Sequence, residues 1–568
     1  MKNKIPKKSI NVAILGGSTT DLIKKTLSKL MLANKIKVNI YESNYNQFYF
    51  EAINISKKLK SFNPDIIYIH ITNKNIEPFP KVEDSDAKIS KLLKQNIEKF
   101  HNIWKSLTKE FNCTIIQNNF EFLNYSSLGN LDSSKNYGKI NFINQLNAAL
   151  YKKIQNFNNI IINDINLISS RFGLKKWQDD TLYFNYKYAL SFDAIQVLAY
   201  SISRIILSLL GKSKKCLVVD FDNTIWGGVI GEVGEKNIEI GNDSPRGEIF
   251  LRFQKYLLDL TSIGIILAGC TKNEYKVAAS GLKNKNCIIK ENNFAVIQAN
   301  WKNKAENIRI IAKKLNIGLD SIVFVDDSKF ERESVKTQLP MVAVPEIGED
   351  PENFIHNLDI LNYFEKSILS KEDLKRSNYY ENNFKREQIK TKYKDYKEYL
   401  KSLKMKSLFK NFNKFNMTRV VQLINKTNQF NLTMKRMSEK DVLKISNNKD
   451  YLTISANLED KFGDNGIVTI LIAEIKKRRL EIKSWLMSCR VFNRNLEIAL
   501  FDQLIILCKK KGIENIHGTF IPSDKNNIVK NFYASLNFKK NGKNKWKFKV
   551  EKKYKKQEKI IKVINEIK

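Results

Sequence analysis

The chain is poor in the residues that build disulfide frameworks, zinc centres and histidine-dependent sites. Among 568 residues there are six cysteines and four histidines, and no two cysteines form a C-x-x-C pair. This spacing argues against a structural zinc site and against a disulfide framework. We therefore expect most cysteines to be buried as small apolar residues in a reducing compartment.

Long apolar runs are also scarce. No run approaches the ~20 apolar residues that a membrane-spanning helix needs. Near the amino terminus, the apolar run from Ile10 to Leu15 is too short for a signal sequence and leads directly into Gly16-Gly17. These absences predict a soluble, cytoplasmic protein without a membrane partner.

Acidic residues are few relative to basic ones. The chain has 97 Lys and Arg against 59 Asp and Glu, a formal net charge of +38. Such a charge can indicate an anionic partner. However, the lysines are scattered and show no interleaved aromatic pattern for base stacking, so a nucleic-acid partner is not expected. Lysine is dense only from about residue 539 to 568, where we expect a solvated or helical tail.

The length allows two to four domains, each with its own core. Up to about residue 210, short apolar strands alternate with helical stretches, which predicts parallel β/α layering. The first strand, from Asn11 to Leu15, breaks at Gly16-Gly17-Ser18.

In the centre of the chain, polar residues follow three predicted strands and open one helix. They are Asp220, Asp222 and Thr224 after the strand that begins at Cys216, Thr271 after a second strand, Asp326 and Asp327 after a third, and Lys304 at the start of a helix. Carboxylates and a hydroxyl at the carboxyl edge of a parallel sheet predict a Mg²⁺ and phosphate site.

This ordered set resembles the haloacid dehalogenase (HAD) superfamily. The runs at 222–232, 315–333 and 345–351 are similar to FkbH-like proteins, three-part enzymes with a HAD domain at the centre. The resemblance implies an α/β fold class with an SGNH-like β/α domain, a capless Rossmann-like HAD domain and a GNAT-like α+β domain. The expected boundaries are 1–211 for the first domain, 212–365 for the HAD domain, 366–410 for a charged helical connector, 411–548 for the GNAT-like domain and 549–568 for a basic tail.

The resemblance also implies roles for the central residues. Asp220 would attack phosphorus, and Asp222 would act as general acid and then as general base. Asp220, the backbone carbonyl of Asp222, and Asp326 would hold Mg²⁺, with Asp327 in or near the coordination sphere. The expected phosphate-stabilising residues are Thr271 and Lys304, and the further substrate-binding residues are Thr224, Gly227, Gly228 and Asn273.

Cys270 directly precedes Thr271, so we expect it beside the phosphate site rather than in the core of the sheet. Nearby lysines and a bound metal would favour its thiolate. In FkbH-like enzymes a cysteine here is understood to carry the acyl group as a thioester. The alternative is a buried, packed cysteine.

The two flanking domains carry weaker indications. Gly16-Gly17-Ser18 resembles the nucleophile block of SGNH esterases, but no histidine lies at 180–196, where that family would place the base. An inactive scaffold is therefore favoured. In the GNAT-like region, Asn493 and Asn495 replace usual glycines, and the candidates for acyl or pantetheine binding are Arg490, Asn526 and Tyr533.

Two enzyme functions and one other class remain open. The first is a Mg²⁺-dependent transferase-phosphatase that loads a glyceryl-type acyl group from a 1,3-bisphosphoglycerate-like donor onto an acyl carrier protein. It would act in polyketide or surface-glycan assembly, with phosphopantetheine or coenzyme A as further cofactor. The second is a plain Mg²⁺-dependent phosphomonoesterase acting on a small phosphometabolite. The third is a noncatalytic or nucleic-acid-processing protein, supported only by the positive charge.

Overall fold

A computed structural model describes residues 9–367, 389–523, 526–551 and 553–567, together with positions 369, 379, 382, 383, 385 and 386. The chain divides into two compact units, Met1–Leu207 and Ser208–Lys568. Because the expected first domain ends at 211, this division lies close to that boundary. Part of the expected connector lies outside the described residues.

The first unit is built on a parallel sheet with the strand order β2-β1-β3-β4-β5. Its strands are β1 (Ser9–Gly16), β2 (Lys37–Glu42), β3 (Ile66–His70), β4 (Thr114–Asn118) and β5 (Ile160–Asn163). Every residue of β3 is buried, as expected for a strand covered on both faces. The predicted β/α layering is therefore present.

Helices connect these strands and cover the sheet. They are α1 (Asp21–Ala33), α2 (Phe48–Ile53), α3 (Lys57–Phe62), α4 (Asp86–Glu110), α5 (Leu131–Ser134), α6 (Lys139–Ile154), α7 (Ile165–Phe172), α8 (Leu174–Trp177), α9 (Asp180–Tyr186) and α10 (Phe192–Leu209). The start of α4 is fixed by Ser85, whose hydroxyl accepts a hydrogen bond from the Lys88 N–H. Its buried apolar side chains recur at helical spacing and face the core.

Among the described residues, α10 is long and apolar enough to cross a membrane by length and composition. This differs from the expectation that no apolar run approaches that length. However, 61% of its apolar window is buried inside the protein. Such burial is typical of a core helix.

The second unit begins with a smaller parallel sheet in the order β8-β7-β6-β9. Its strands are β6 (Cys216–Val219), β7 (Ile266–Thr271), β8 (Val296–Ala299) and β9 (Ile322–Val325). The surrounding helices are α11 (Ile230–Val233), α12 (Pro245–Ser262), α13 (Tyr275–Gly281), α14 (Lys304–Leu315), α15 (Lys329–Gln338) and α16 (Phe354–Asp359). The connections between β6, β7 and β8 carry short helical elements and no separate cap sheet among the described residues, in agreement with a capless HAD fold.

A larger mixed sheet follows, in the order β16-β17-β15-β14-β13-β12-β10-β18, with β11 paired to β14. Its strands are β10 (Lys406–Lys410), β11 (Phe430–Asn431), β12 (Tyr451–Asp460), β13 (Gly463–Lys476), β14 (Arg479–Met487), β15 (Asn515–Thr519), β16 (Lys539–Lys540), β17 (Lys545–Lys549) and β18 (Lys562–Glu566). The accompanying helices are α17 (Tyr396–Ser402), α18 (Met417–Lys426), α19 (Glu439–Ser446), α20 (Leu496–Lys510) and α21 (Phe532–Ser535). Helix α20 links the parallel pair β14 and β15. This is the α+β architecture expected for a GNAT-like region.

The limits of this sheet differ from the expected domain limits. Strand β10 lies inside the segment expected to be a connector, and it pairs in parallel with β18 near the carboxyl end of the chain. Tyr554 donates a hydrogen bond of 2.6 Å to Asp502 of α20, and Ile561 is buried. The expectation of a solvated or helical tail is therefore wrong, because the tail contributes a strand and packs on the domain.

Candidate active site

Two acids of the central sheet stand side by side because of strand register. Val219, the last residue of β6, pairs with Val325, the last residue of β9. The next residue in each chain segment is an aspartate, Asp220 and Asp326 respectively. The buried apolar strands therefore deliver two carboxylates to the same point of the carboxyl edge, as expected from the sequence.

Asp327 completes a cluster of three acids with these two. One carboxylate oxygen from each of the three residues lies within 4.8 Å of the other two. The Nζ atom of Lys304, the first residue of α14, lies 2.7 Å from Asp220 Oδ2 and 2.5 Å from Asp326 Oδ2. The second oxygen of Asp220, Oδ1, is buried and has no hydrogen-bond partner among the described residues. An acceptor of this kind is costly unless a ligand satisfies it.

The electrostatics of the cluster also favour a cation. Burial, together with the charge of Asp220, raises the pKa of Asp326 to about 7 and raises the pKa of Asp327. Burial lowers the pKa of Lys304, but the carboxylates of Asp220 and Asp326 outweigh it and raise this pKa above its ordinary value. The single ammonium group of Lys304 is thus shared by two of the three crowded carboxylates. Hard oxygen donors with excess negative charge suit a divalent cation such as Mg²⁺.

Asp222 is held apart from the acid cluster by three donors. Its Oδ2 accepts a hydrogen bond of 2.8 Å from Asn273, and its Oδ1 accepts from Trp226 Nε1 at 2.9 Å and from the Ile230 N–H at 3.1 Å. Burial, opposed by these donors, raises its pKa. Its carboxylate is therefore fixed in place, as a general acid requires. The expected role of its backbone carbonyl toward a metal is not tested by these contacts.

Thr271 and Thr224 lie where the sequence predicts them, but each is tied to another site residue. The hydroxyl of Thr271 accepts from Asn273 Nδ2 at 3.1 Å. The hydroxyl of Thr224 donates to Asp327 Oδ1 at 3.0 Å and is fully buried. Thr224 therefore orients Asp327, and the expected substrate contact of Thr224 stays a prediction.

The glycine pair shapes the loop over the acids. Gly227 exchanges two backbone hydrogen bonds with Glu239, and an added Cβ would lie 2.7 Å from the Glu239 carboxylate. Gly228 has a φ of +91°, and its N–H donates to the Asn223 side chain at 2.9 Å. Both glycines are required by a tight turn and a close approach. Direct substrate binding by them remains a prediction.

Arg332 is a site residue that the sequence analysis missed. Its guanidinium, which is almost fully buried, donates to the backbone carbonyls of Asp326 at 2.8 Å and Asp327 at 2.6 Å, and it pairs with Glu346. It therefore fixes the backbone that presents two of the acids. The sequence does contain a signal for Arg332. It lies in the first part of α15, the helix that begins directly after the Asp326-Asp327 pair and Ser328.

Cys270 is placed differently from the expectation. It is close to the acids, but its side chain is fully buried in an apolar cluster with Ala305 and Ile308 of α14, and its Sγ lies 3.9 Å from the Lys304 carbonyl. Burial raises the pKa of its thiol despite the charge of Lys304. Lys272, expected to favour a thiolate, pairs with Glu331 at 2.5 Å. The expectations of a position outside the core and of a stabilised thiolate are therefore wrong.

The candidates in the GNAT-like region do not form one site. The Asn526 amide donates to two backbone carbonyls, at 2.8 and 2.9 Å, and is fully buried. Tyr533 is buried among aromatic rings, and burial raises its pKa, so its expected acyl or pantetheine contact stays a prediction. Arg490 alone of the three lines a cavity of about 360 Å³. Asn493 and Asn495, which replace usual glycines, have positive φ angles of 61° and 62°, a conformation that asparagine tolerates better than other non-glycine residues.

In the amino-terminal unit, a histidine that the sequence analysis missed lies beside Ser18. The Nε2 atom of His70 lies 3.0 Å from the Ser18 hydroxyl, and both side chains are buried. No histidine lies at 180–196, but His70, at the end of β3, contacts Ser18.

The sheet topology and the acid cluster together define a HAD-type phosphatase domain. Comparisons with known proteins extend this assignment. The family model described as "FkbH, N-terminal domain" matches residues 11–207. The crystal structure of the N-terminal part of the protein BF1531 from Bacteroides fragilis, which contains a phosphatase domain complexed with Mg, is 31% identical. The match has a TM-score of 0.60 and covers 64% of this chain and 95% of that one. The chain belongs to the FkbH family.

Two acetyltransferase structures are similar to a smaller part of the chain. The ribosomal-protein-S18-alanine N-acetyltransferase from Escherichia coli is 13% identical, with a TM-score of 0.21. The match covers 25% of this chain and 94% of the acetyltransferase. A GNAT-family acetyltransferase from Staphylococcus aureus is 17% identical, with coverages of 26% and 99% and the same TM-score. A comparison with curated proteins gave no match.

Proposed function

We propose that this protein is a Mg²⁺-dependent phosphatase and acyltransferase acting on a phosphorylated acyl donor of the 1,3-bisphosphoglycerate type. The acyl group would be loaded onto an acyl carrier protein. The cluster of Asp220, Asp326 and Asp327 around Lys304 is the observation that carries the phosphoryl part. Membership of the FkbH family supports the acyl-loading part.

Asp220 would form a bond from a carboxylate oxygen to phosphorus while the bond to the leaving oxygen breaks. Asp222 would give its proton to that leaving oxygen, and the three donors that hold its carboxyl group in one orientation support this role. A water molecule would then attack phosphorus and pass its proton back to Asp222, which releases inorganic phosphate and restores Asp220. The Lys304 ammonium would offset charge on the transferred group.

Asp220, Asp326 and Asp327 would hold the Mg²⁺ ion, which the related B. fragilis phosphatase domain binds in its crystal. The bound ion would supply charge neutralisation for the phosphoryl oxygens. Asp220 Oδ1 supports this assignment, because this buried atom has no hydrogen-bond partner within the described part of the chain.

A plain phosphomonoesterase is the second candidate function, and the burial of Cys270 favours it. A thiol without exposed surface and with a raised pKa is a poor acyl acceptor. Loading through a Cys270 thioester would require α14 to move away from the sheet. Direct attack of the carrier-protein thiol on the acyl carbon, with the phosphate of the acyl phosphate as leaving group, would need no such movement. Asp220 would then remove the remaining ester phosphate.

The test measures phosphate release by the full-length protein from an acyl phosphate and from a simple phosphomonoester. Release should require Mg²⁺ and should fall by roughly three orders of magnitude or more in Asp220→Asn, because an amide is no nucleophile. The control is Asp350→Asn, which makes the same charge change at an exposed position whose side chain caps no helix bond. Full activity in Asp220→Asn would exclude the aspartyl-phosphate mechanism.

A second arm separates the two candidate functions. A phosphopantetheinylated carrier protein is added with the acyl phosphate, and its mass is followed. Acyl-loading predicts a mass increase on the carrier that depends on the enzyme. Phosphate release with an unchanged carrier mass would exclude acyl loading and support the phosphomonoesterase function.

A further inference from the structure

The amino-terminal unit brings a serine, a histidine and two ring-orienting groups together at one sheet edge. Ser18 follows β1 and His70 ends β3, and Gly16 pairs with His70 in the parallel register. The hydroxyl of Ser18 lies 3.0 Å from His70 Nε2. The other ring nitrogen, Nδ1, lies 3.1 Å from the Tyr68 hydroxyl, which donates to Asn118 Oδ1 at 3.2 Å.

The tautomer of His70 decides the direction of these hydrogen bonds, because Nδ1 lies 3.1 Å from the Tyr68 hydroxyl and 3.3 Å from Asn118 Nδ2, which also donates to the Ile71 carbonyl at 3.1 Å. With the proton on Nδ1, the ring donates to the Tyr68 oxygen, Tyr68 donates to Asn118 Oδ1, and Nε2 accepts the Ser18 proton. Burial lowers the pKa of His70 to about 4, so the ring is neutral at neutral pH. A neutral imidazole that accepts at Nε2 is the form required of a general base toward a serine.

The position in the fold is that of a ligand site. Strand β1 lies between β2 and β3. The chain therefore continues from β1 to β2 on one side and from β2 to β3 on the other side of β1. The carboxyl ends of strands at such a switch point form a crevice where α/β proteins bind ligands. Helix α1 begins three residues after Ser18, and its N-cap residue Thr20 makes no side-chain cap bond. Its first backbone N–H groups can therefore stabilise a developing oxyanion.

Unsatisfied polar atoms at the same edge also indicate a ligand. Asn75 ties this region to the serine loop by donating to the Gly17 carbonyl at 3.0 Å. Nearby, Asn73 Oδ1 and Gln178 Oε1 are buried without partners among the described residues, although both side chains make other hydrogen bonds. A buried polar atom without a partner destabilises the folded protein. A carbonyl substrate with hydroxyl or amide donors would offset part of that destabilisation.

We propose that Ser18 and His70 form a second active site, which cleaves carboxylic esters or thioesters. The Ser18 oxygen would attack the acyl carbon while its proton passes to His70 Nε2. The alcohol or thiol would leave with that proton, giving an acyl-serine. Water would then attack the acyl carbon, lose a proton to Nε2 and release the carboxylic acid with Ser18 restored. Tyr68 and Asn118 act as positioning residues for the ring.

The test treats the full-length protein with a fluorophosphonate probe and follows intact mass, with peptide mapping of the adduct. The wild-type protein should gain one adduct on Ser18 and should hydrolyse p-nitrophenyl acetate. Ser18→Ala should lose both properties. His70→Asn should label roughly 100-fold more slowly, the usual scale for loss of a general base. The matched control is His101→Asn, which replaces a histidine of α4 in the same unit and should label at the wild-type rate.

Two results would overturn the proposal. The first is an unlabelled wild-type protein, or an adduct confined to other residues, and this result does not depend on any variant folding. The second is labelling of Ser18 at an undiminished rate in a His70→Asn protein that retains the wild-type unfolding temperature. The fluorophosphonate should label Ser18 of the Asp220→Asn variant at the wild-type rate. Failure of the esterase proposal is therefore distinguishable from failure of the proposed phosphatase function.

Discussion

Glu121 provides a quantitative test of the buried polar edge of the first unit. Its carboxylate is fully buried, with Oε2 accepting from the Asn73 N–H and Oε1 from Gln178 Nε2, both at 3.2 Å. Burial raises its pKa from 4.5 to about 7, and the two donors and Lys74 oppose this only in part. The perturbation is Glu121→Gln, a neutral side chain of nearly the same shape.

The expected magnitude follows from linkage. Between pH 4.5 and about 7 the unfolded chain has lost the Glu121 proton while the folded protein still holds it. The unfolded state therefore binds fewer protons, and the free energy of unfolding falls as pH rises through this window. The total loss is about 3 kcal/mol, at about 1.4 kcal/mol for each pH unit. Below pH 4.5 the contribution is fully present, and above about 7 no further loss occurs.

Glu121→Gln should remove this pH dependence. Near pH 8 the variant should be more stable than the wild type by about 1–3 kcal/mol. The new amide can donate to the unpaired Gln178 Oε1 once the Gln178 amide rotates. At pH 5 the two proteins should be nearly equal. The measurement is urea-dependent hydrogen exchange of β4 peptides in the full-length protein, which reports on the first unit alone.

The control for this experiment is Glu98→Gln, at an exposed position of α4, which should change the pH dependence very little. An equal destabilisation of Glu121→Gln at pH 5 and pH 8 would refute the reasoning. That result would mean that the carboxylate is ionised in the folded protein at both pH values.

Three further outcomes are expected for the second unit. Cys270→Ala should lower the free energy of unfolding by about 1–3 kcal/mol and keep phosphate release, and loss of carrier loading alone would show that the thiol carries the acyl group. Trp226→Phe removes one donor to Asp222 and should lower kcat about tenfold with little change in KM, whereas an unchanged kcat would show that the donor is dispensable. Mg²⁺ at 100 times its Kd should stabilise the wild type by about 2.7 kcal/mol, as measured by the unfolding temperature. An equal gain in Asp326→Asn would place the ion elsewhere.

The phosphoryl site could be predicted because its residues follow strands directly. Asp220 and Asp326 each come one residue after a buried apolar strand, and parallel strands end at the same edge. The sequence pattern therefore predicts where these strands end and that the acids lie at one edge of a parallel sheet. The strands β1 to β5 could be predicted because short segments rich in apolar residues alternate with helical stretches.

Other features depend on packing that no local pattern reveals. Cys270 is next to the acids in the chain, but its exposure is decided by Ala305 and Ile308 of α14 on the same face of the sheet. The contact between Ser18 and His70 joins residues 52 positions apart. The contact arises because β3, which ends at His70, pairs with β1 on the side opposite to β2. Strand order of this kind follows from the whole fold.

The parallel pairing of β18 with β10 has a consequence for handling the protein. Strand β10 contains the buried residue Phe409, and without β18 its free backbone groups would form an open edge. The covering strand is mostly exposed, and Glu566 near its end pairs with Lys410 at 3.0 Å. Charged, short edge strands discourage the stacking of one molecule on another. Removing these last residues, or displacing them with a fused tag, would replace this charged edge strand by the uncovered edge of β10 and would favour aggregation during purification.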